Sequence, residues 1–124
     1  MTTPYTQEII IPSTTYGTPS GTYDGSSQDW FSKSVIAANY YGGYRSYQTF
    51  ITDLFSFSGK ITIQGTLNSP EYDADWFDIV TYNYIDSPDI TEVLTENSVG
   101  NFVWLRARIQ GFTTGTINSL TVSY

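Results

Sequence analysis

The chain has 124 residues, 40% of them hydrophobic and 17% aromatic, and 12 acidic against 5 basic residues give a formal net charge of −7. Binding to a phosphate backbone requires clustered Lys and Arg, so this charge balance argues against nucleic acid as a direct partner. Histidine and cysteine are both absent. Their absence removes the commonest general base, the commonest metal ligand, and all thiol and disulfide chemistry.

The first 28 residues are predicted to form an N-terminal arm or edge segment, separate from the main domain over 29–124. A run of three isoleucines is stopped by Pro12, which fits an edge strand. Ser13 to Gln28 is rich in Ser, Thr, Gly and Pro and has no periodicity. Such a segment buries little apolar surface, so we expect it to gain order on a neighbouring subunit. The interface candidates in this arm are Ile9, Ile10 and Ile11.

The middle of the chain is predicted to be a series of short strands. Apolar character resumes at Asp29 to Tyr41 and stops at the turn signal Gly42-Gly43. Tyr44 to Phe57 has aromatic residues at helical spacing but few helix formers, so a strand is predicted there. Three further strands are predicted over Lys60 to Leu67, Trp76 to Tyr84 and Ile90 to Leu94. In the first of these, the residues expected to face inward are Ile61, Ile63 and Leu67.

The C-terminal stretch has the clearest alternation. From Asn101 to Ile109 one predicted face is apolar, with Val103, Leu105, Ala107 and Ile109. Gly111 to Gly115 carries turn residues, so the region is predicted to be a hairpin, or two strands joined by a short loop, with Leu120, Val122 and Tyr124 on the second strand. Ile117 is out of phase with Leu120, which predicts a bulge or a shifted strand start.

The fold predicted from these segments is all-β. About seven to nine short strands, with turn signals roughly every ten residues, are typical of an antiparallel sandwich. We therefore expect a single jelly-roll-like β-sandwich over residues 29–124, preceded by the arm over residues 1–28. The N-terminus lacks a secretory signal and no apolar run approaches the ~20 residues of a membrane span, so we expect synthesis in the cytoplasm and no membrane partner.

One cluster of carboxylates could carry chemistry: Glu71, Asp73, Asp75 and Asp78. Several oxygens from one loop can bind Ca²⁺, although the spacing of an EF-hand is missing. The alternative is a solvated loop whose charges discourage strand pairing. A carboxylate pair could also hydrolyse glycosides, but a chain of this length leaves little room for a cleft, and Ser-based catalysis lacks a His. We predict no catalysis, no cofactor and no required metal.

The second candidate site is the outward face of the 101–109 strand, formed by Phe102, Trp104, Arg106 and Arg108. Aromatic residues and Arg are enriched at protein interfaces, so this face could contact another subunit. It could instead stack on sugar rings, as aromatic side chains with polar tips do. A third interpretation is that another part of the same chain covers it, with the Arg stems lying over aromatic rings.

Several motifs occur together in the order of a known family. They are Phe57-Ser-Gly-Lys-Ile-Thr-Ile-Gln-Gly-Thr-Leu67, Asp75-Trp-Phe-Asp-Ile79, Gly100-Asn-Phe-Val-Trp-Leu-Arg-Ala-Arg-Ile109 and Gly115-Thr-Ile117. Over residues 50–124 the chain resembles small virion structural proteins of tailed phages, especially phages of cyanobacteria and other marine bacteria. The resemblance implies a virion location but no active site. The predicted function is a non-enzymatic virion component that contacts copies of itself and other virion proteins. The alternative is a carbohydrate-binding sandwich.

Overall fold

The computed structural model describes residues 7–40, 46–68, 75–86 and 89–124, and these residues form strands and loops without an α-helix. The strands are β1 (Gln7–Ile11), β2 (Thr14–Thr15), β3 (Trp30–Phe31), β4 (Val35–Ile36), β5 (Tyr47–Thr66), β6 (Phe77–Asn83), β7 (Ile90–Val99) and β8 (Trp104–Ser123). The all-β class is confirmed. All eight strands belong to one antiparallel sheet, so the described residues do not form the two separate sheets expected of a sandwich.

Two long strands, β5 and β8, run through the whole sheet and pair with each other along their length. The β7 half of the sheet consists of residues 47–55 of β5 and 116–123 of β8, flanked by β7 on one side and by β1 and β2 on the other. The β6 half consists of residues 60–66 of β5 and 104–110 of β8, flanked by β6 on one side and by β3 and β4 on the other.

The two halves meet at an irregular centre. Register shifts occur on both sides of Ser58, and Ser56, Gly111 and Gly115 have φ angles of 49°, 61° and 93°. Left-handed backbone of this kind interrupts a strand with bulges and bends it. The hairpin or joining loop predicted at Gly111–Gly115 is therefore wrong, because the chain continues through these glycines as one bent strand, β8. The strands predicted over 44–57 and 60–67 are likewise one strand, β5.

The bulge predicted near Ile117 is confirmed. Leu54 pairs with Ile117 and Asp53 pairs with Ser119, so Asn118 is an extra residue in β8. The bulge lets Ile117 and Leu120 both point into the core, where neither is exposed. Asn118 is held outside by its amide Nδ2, which donates to Asp53 Oδ1 at 3.1 Å.

Both halves contribute their inner faces to one hydrophobic core. Of the residues predicted to face inward, those fully buried are Ile61, Ile63, Leu105, Ala107, Ile109, Leu120 and Val122. Leu67 is 57% exposed, because β5 ends at Thr66 and the alternation does not continue past it. Val103 is half-buried, since it precedes the start of β8. A link between the halves is made by Tyr124, whose Oη donates to the carbonyl oxygen of Ile36 in β4 at 2.7 Å.

The described part of the predicted arm belongs to this core. β1 and β2 pair with β8 of the same chain, and Ile10 and Ile11 are each 1% exposed. Tyr23 is also 1% exposed, with its ring centroid 5.2 Å from those of Trp30 and Phe112. The composition of Ser13–Gln28 suggested too little apolar surface for ordering, but Tyr23 supplies an anchor for the segment. Residues 1–6 lie outside the described residues.

Candidate functional site

The candidate site lies on the outer face of the β6 half, where three neighbouring strands bring polar and aromatic side chains together. Gln64 of β5 pairs with Arg106 of β8 on one side and with Asp78 of β6 on the other. The next row places Phe31 of β3 opposite Arg108 of β8. Neighbours across a sheet on one face lie within side-chain contact, so the register itself assembles this cluster.

Arg106 is held in a fixed position at the centre of the cluster. Its Cζ lies 4.3 Å from the ring centroid of Phe31 and 4.3 Å from that of Trp76. Its Nε donates to Gln64 Oε1 at 2.8 Å, and Gln64 Nε2 donates to Asp78 Oδ1 at 3.0 Å. These rings and the hydrogen bond to Gln64 fix the plane of the guanidinium, in the stacked geometry that suits Arg and not Lys.

Arg108 is held much more loosely. Its side chain is exposed, and its Cζ lies 5.7 Å from the Phe31 ring centroid. Within the described part of the chain, no carboxylate forms an ion pair with this guanidinium and no acceptor hydrogen-bonds to it. Phe31 beside it is 44% exposed. We call Phe31, Trp76, Arg106 and Arg108 the aromatic–arginine face. It offers an incoming partner an apolar ring and a cation with its donors available.

The four residues predicted for this face separate into two groups. Arg106 and Arg108 lie on it, as expected. Phe102 does not, since it is 6% exposed and packs on Phe77 with ring centroids 5.4 Å apart. The interface assignment of Phe102 is wrong because the residue precedes β8, where strict alternation does not apply. It covers the backbone of Gly65, where an added Cβ would lie 2.7 Å from the Phe102 ring.

Trp104 is half-buried and largely covered by its own chain. Its ring meets that of Tyr40 edge-on, with centroids 5.2 Å apart. Its Nε1 is buried and has no hydrogen-bond partner among the described residues. For Trp104 and Phe102 the third interpretation therefore applies, and the chain itself packs against these rings.

Two members of the face, Phe31 and Trp76, were missed from the sequence. Phe31 comes from the two-residue strand β3, and Trp76 immediately precedes β6. Trp76 was predicted to begin a strand, but only the pairing of strands shows that it and Phe31 meet Arg106. The sequence does carry one signal for both residues, a repeated tripeptide. Asp-Trp-Phe occurs at Asp29-Trp30-Phe31 and again at Asp75-Trp76-Phe77.

Of the three isoleucines predicted as interface residues, Ile9 alone is substantially exposed, at 52%. Ile10 and Ile11 are core residues, so their assignment as interface residues is wrong for this fold. All three isoleucines line a groove of about 340 Å³ between β1 and the segments around Gly21 and Trp30. The groove is apolar, with Lys33 at its border, and holds no acid–base pair.

The carboxylate cluster is only partly within the described residues. Glu71 and Asp73 lie outside them, while Asp78 Oδ1 accepts a hydrogen bond from Gln64 beside the aromatic–arginine face. Asp75 and Asp78 are the described members, and no group of three or more potential metal-binding side chains occurs in the described ranges. Asp78 is joined to Arg106 through Gln64, which hydrogen-bonds to both. The calcium and glycosidase hypotheses gain no support from the geometry.

Comparison with known proteins gives no family for this chain. No protein-family model matches the sequence, and no curated protein matches it at a significant level. In the part of the chain that the structure describes, no helix is long and apolar enough to span a membrane.

Proposed function

We propose that this protein is a non-enzymatic structural subunit that acts through protein–protein contacts, present in multiple copies in the virion of a tailed phage. The observation that carries the proposal is the aromatic–arginine face, where a fixed Arg106 lies beside an exposed Phe31 and an exposed Arg108. Arg and aromatic residues contribute most of the binding energy at many interfaces. The virion location rests on the sequence resemblance over residues 50–124.

The geometry of Arg106 supports a role in binding because its ordering cost is already met within the folded chain. An interface that must immobilise a long side chain loses part of its affinity to conformational entropy. Here the rings of Phe31 and Trp76 and the Gln64 oxygen hold the guanidinium before a partner arrives. Arg108 and the exposed part of Phe31 then provide the contacts that a partner covers.

The composition of the chain also fits an assembled protein. Charged residues account for 14% of the chain, while tyrosine occurs 11 times. A surface with few charges loses little solvation energy when neighbouring subunits cover it, and Tyr adds contact area with a polar tip. A net charge of −7 keeps free subunits apart at low concentration.

The test is the mass of the protein in solution over a range of concentrations, measured by sedimentation velocity. We expect oligomers for the natural chain and a shift toward monomer for Arg108→Glu and for Phe31→Ser. The control is Val93→Ser, which removes an even more exposed apolar side chain, 63% against 44% for Phe31, from the β7 half. Two results together would contradict the proposal: the natural chain stays monomeric at all concentrations, and it does not bind purified phage particles that lack it.

A second candidate is a carbohydrate-binding module, favoured by one observation, the 44% exposed ring of Phe31 beside the donors of Arg108. Against it, the indoles of Trp76 and Trp104 are half-buried, and their Nε1 atoms are buried without an exposed hydrogen-bonding edge. NMR titration with a panel of oligosaccharides separates the two functions. Saturable shifts at Phe31 in a monomeric protein would favour the sugar-binding alternative.

A further inference from the structure

Strand β7 has one edge that no described strand covers. It pairs with β5 through eight consecutive residue pairs, from Tyr47 with Val99 to Leu54 with Glu92, and with no other described strand. Its outward side chains include Val93 and Val99, each 63% exposed. A long and regular edge of this kind is a template for another strand.

The backbone groups that face this edge can be assigned from one hydrogen bond. The amide of Gly100 donates to the carbonyl oxygen of Ser46 at 2.8 Å, so the main-chain N–H and C=O of Gly100 point toward β5. In an antiparallel pair the direction alternates along the strand. The main-chain N–H and C=O groups of residues 92, 94, 96 and 98 therefore also point toward β5. The amides and carbonyls that face away belong to Val93, Thr95, Asn97 and Val99.

Among the described edge strands longer than two residues, β1 and β6 have interrupted edges, whereas residues 92–99 of β7 do not. β1 contains a bulge at Ile10 and is followed by Pro12. β6 contains a bulge at Ile79, which is skipped between the pairs of Val80 and Asp78. Bulges and Pro are devices that prevent strands from pairing with edges. Residues 92–99 of β7 carry neither, so of these three described strands β7 has the edge best suited to strand addition.

The charges on β7 restrict what can pair with it. Glu92 and Glu96 share the inner side of the strand with Leu94, which packs on the core. Because the odd-numbered residues would hydrogen-bond to an added strand, the two glutamates would occupy the non-hydrogen-bonded positions, where opposing side chains lie closest. A strand with Lys or Arg at both opposing positions is favoured, and an acidic one is repelled.

A second copy of this chain cannot supply such a strand. Its basic residues are Lys33, Arg45, Lys60, Arg106 and Arg108, and no two of them are four positions apart. Pairing β7 with β7 of another copy would bring its glutamates together on one side of the sheet, since both copies carry them at residues 92 and 96. The occupant must therefore be a different protein.

We propose that the outer edge of β7 is a strand-addition site for an extended segment of a different protein, carrying Lys or Arg four positions apart opposite Glu92 and Glu96. The main-chain groups of Val93, Thr95, Asn97 and Val99 provide the hydrogen bonds, and the glutamates select the partner. The site is separate from the aromatic–arginine face, so it stands or falls independently of the proposed function.

The first experiment measures fluorescence anisotropy of two labelled peptides with the full chain. One peptide alternates threonine and valine and has two lysines four positions apart, and the other has glutamates in place of the lysines. We expect saturable binding of the lysine peptide and at least about tenfold weaker binding of the glutamate peptide, the effect of one or two unfavourable charge contacts. Equal binding of both, or binding of neither, would overturn the proposal.

The second experiment separates backbone pairing from simple charge attraction. Thr95→Pro removes an amide that points away from β5, so the pairing with β5 is retained while the edge loses a donor. Thr95→Ala keeps the amide and is the matched control. We expect Thr95→Pro to weaken the lysine peptide about tenfold, as expected for one lost hydrogen bond, and Thr95→Ala to bind like the natural chain. Equal binding by the two variants would contradict strand addition.

A charge reversal provides an independent check if Thr95→Pro fails to fold. In the double variant Glu92→Lys, Glu96→Lys the peptide preference should invert, with the glutamate peptide bound more tightly. Sedimentation of Glu92→Gln, Glu96→Gln tests whether the glutamates serve only to keep copies apart. Dimerisation of that variant, together with no change of peptide preference in the charge-reversed one, would show that the edge is guarded and not a binding site.

Discussion

The two halves of the sheet are built from the same two strands but are buried differently. Along β5, residues 47–55 of the β7 half alternate between covered and more accessible positions, whereas residues 61–66 of the β6 half are all buried. The polar residues among them, Thr62, Gln64 and Thr66, are at most 7% exposed although they face away from the core. In the β6 half, the core covers the inner face of the sheet, and the aromatic rings and Arg106 cover the outer face.

The outer faces of the two halves also differ in how far their side chains are ordered. The outer face of the β7 half carries polar side chains such as Thr49 and Asp53 together with separate exposed apolar ones such as Val93, and no described layer lies over it. The outer face of the β6 half carries a preassembled cluster of rings and guanidinium groups. Ordering of side chains beyond what folding of the core requires is a property of sites that bind partners.

The largest expected effect comes from the core beneath the doubly covered half. Leu105→Ala should lower the free energy of unfolding by about 2–5 kcal/mol, through lost burial and a residual cavity. Leu105 is not exposed and lies in a half covered on both faces, which restricts collapse around the cavity. Denaturant titration gives the value, with Val93→Ala as a surface control expected within about 0.5 kcal/mol. A loss below ~1 kcal/mol for Leu105→Ala would contradict the burial described for this half.

The next effect tests the bend that divides the halves. Gly115 has a φ of +93°, and an added Cβ would lie 2.2 Å from the carbonyl oxygen of Ser56 in β5. Gly115→Ala should therefore destabilise the protein by at least about 2 kcal/mol, from backbone strain and the clash together. Gly17 is a matched control, with a φ of +90° and no atom within 4 Å of an added Cβ.

Gly17→Ala should cost only the conformational part, about 1 kcal/mol. Both variants are compared by thermal melting and denaturant titration. If the two substitutions cost the same, β5 and β8 do not approach closely at the bend, and the division into two halves would have to be revised.

A smaller effect distinguishes the two arginines of the outer face. Arg106→Ala removes two cation–π contacts and the hydrogen bond to Gln64. We expect a loss of about 1–2 kcal/mol in the free energy of unfolding. Arg108→Ala should change it by less than about 0.5 kcal/mol, because this side chain is exposed. Equal costs for the two would mean that Arg106 is not fixed before a partner binds.

Much of the fold could be predicted from the sequence because a strand that turns one face to the core alternates apolar residues with others. Leu105, Ala107 and Ile109 were identified in this way, and so was the bulge at Ile117. The continuous paths of β5 and β8 could not be predicted. Glycines at positive φ serve equally in hairpin turns and in bulges, and only the partner strand decides between them.

The site was less accessible to prediction. The alternation of 101–109 identified Arg106 and Arg108, but it also included Phe102, which lies before the strand begins. Phe31 and Trp76 reach Arg106 from β3 and from the start of β6, across 75 and 30 positions of sequence respectively. Contacts of this kind depend on register between distant segments, and no local pattern encodes them.

The smallest effect is on the pKa of one tyrosine and tests whether β6 of one half lies close to β7 of the other. Tyr82 of β6 has a raised pKa, first because burial disfavours the phenolate and second because Glu96 of β7 adds negative charge nearby. The neutral phenol is thus favoured in the folded protein. Its contribution to stability is fully present below pH 10.0, the ordinary pKa of tyrosine, and is lost as the pH rises through the higher folded value.

Glu96→Gln should lower the pKa of Tyr82 toward its ordinary value without reaching it, because burial remains. The titration is measured by NMR of ring-labelled tyrosine, with the Tyr82 signal assigned from Tyr82→Phe. Glu92→Gln is the matched control, since Glu92 is the residue that raises the pKa of Tyr84 by its charge. It should move the Tyr84 titration and leave Tyr82 nearly unchanged. A Tyr82 titration that does not respond to Glu96→Gln would place β6 and β7 too far apart for the bent sheet described above.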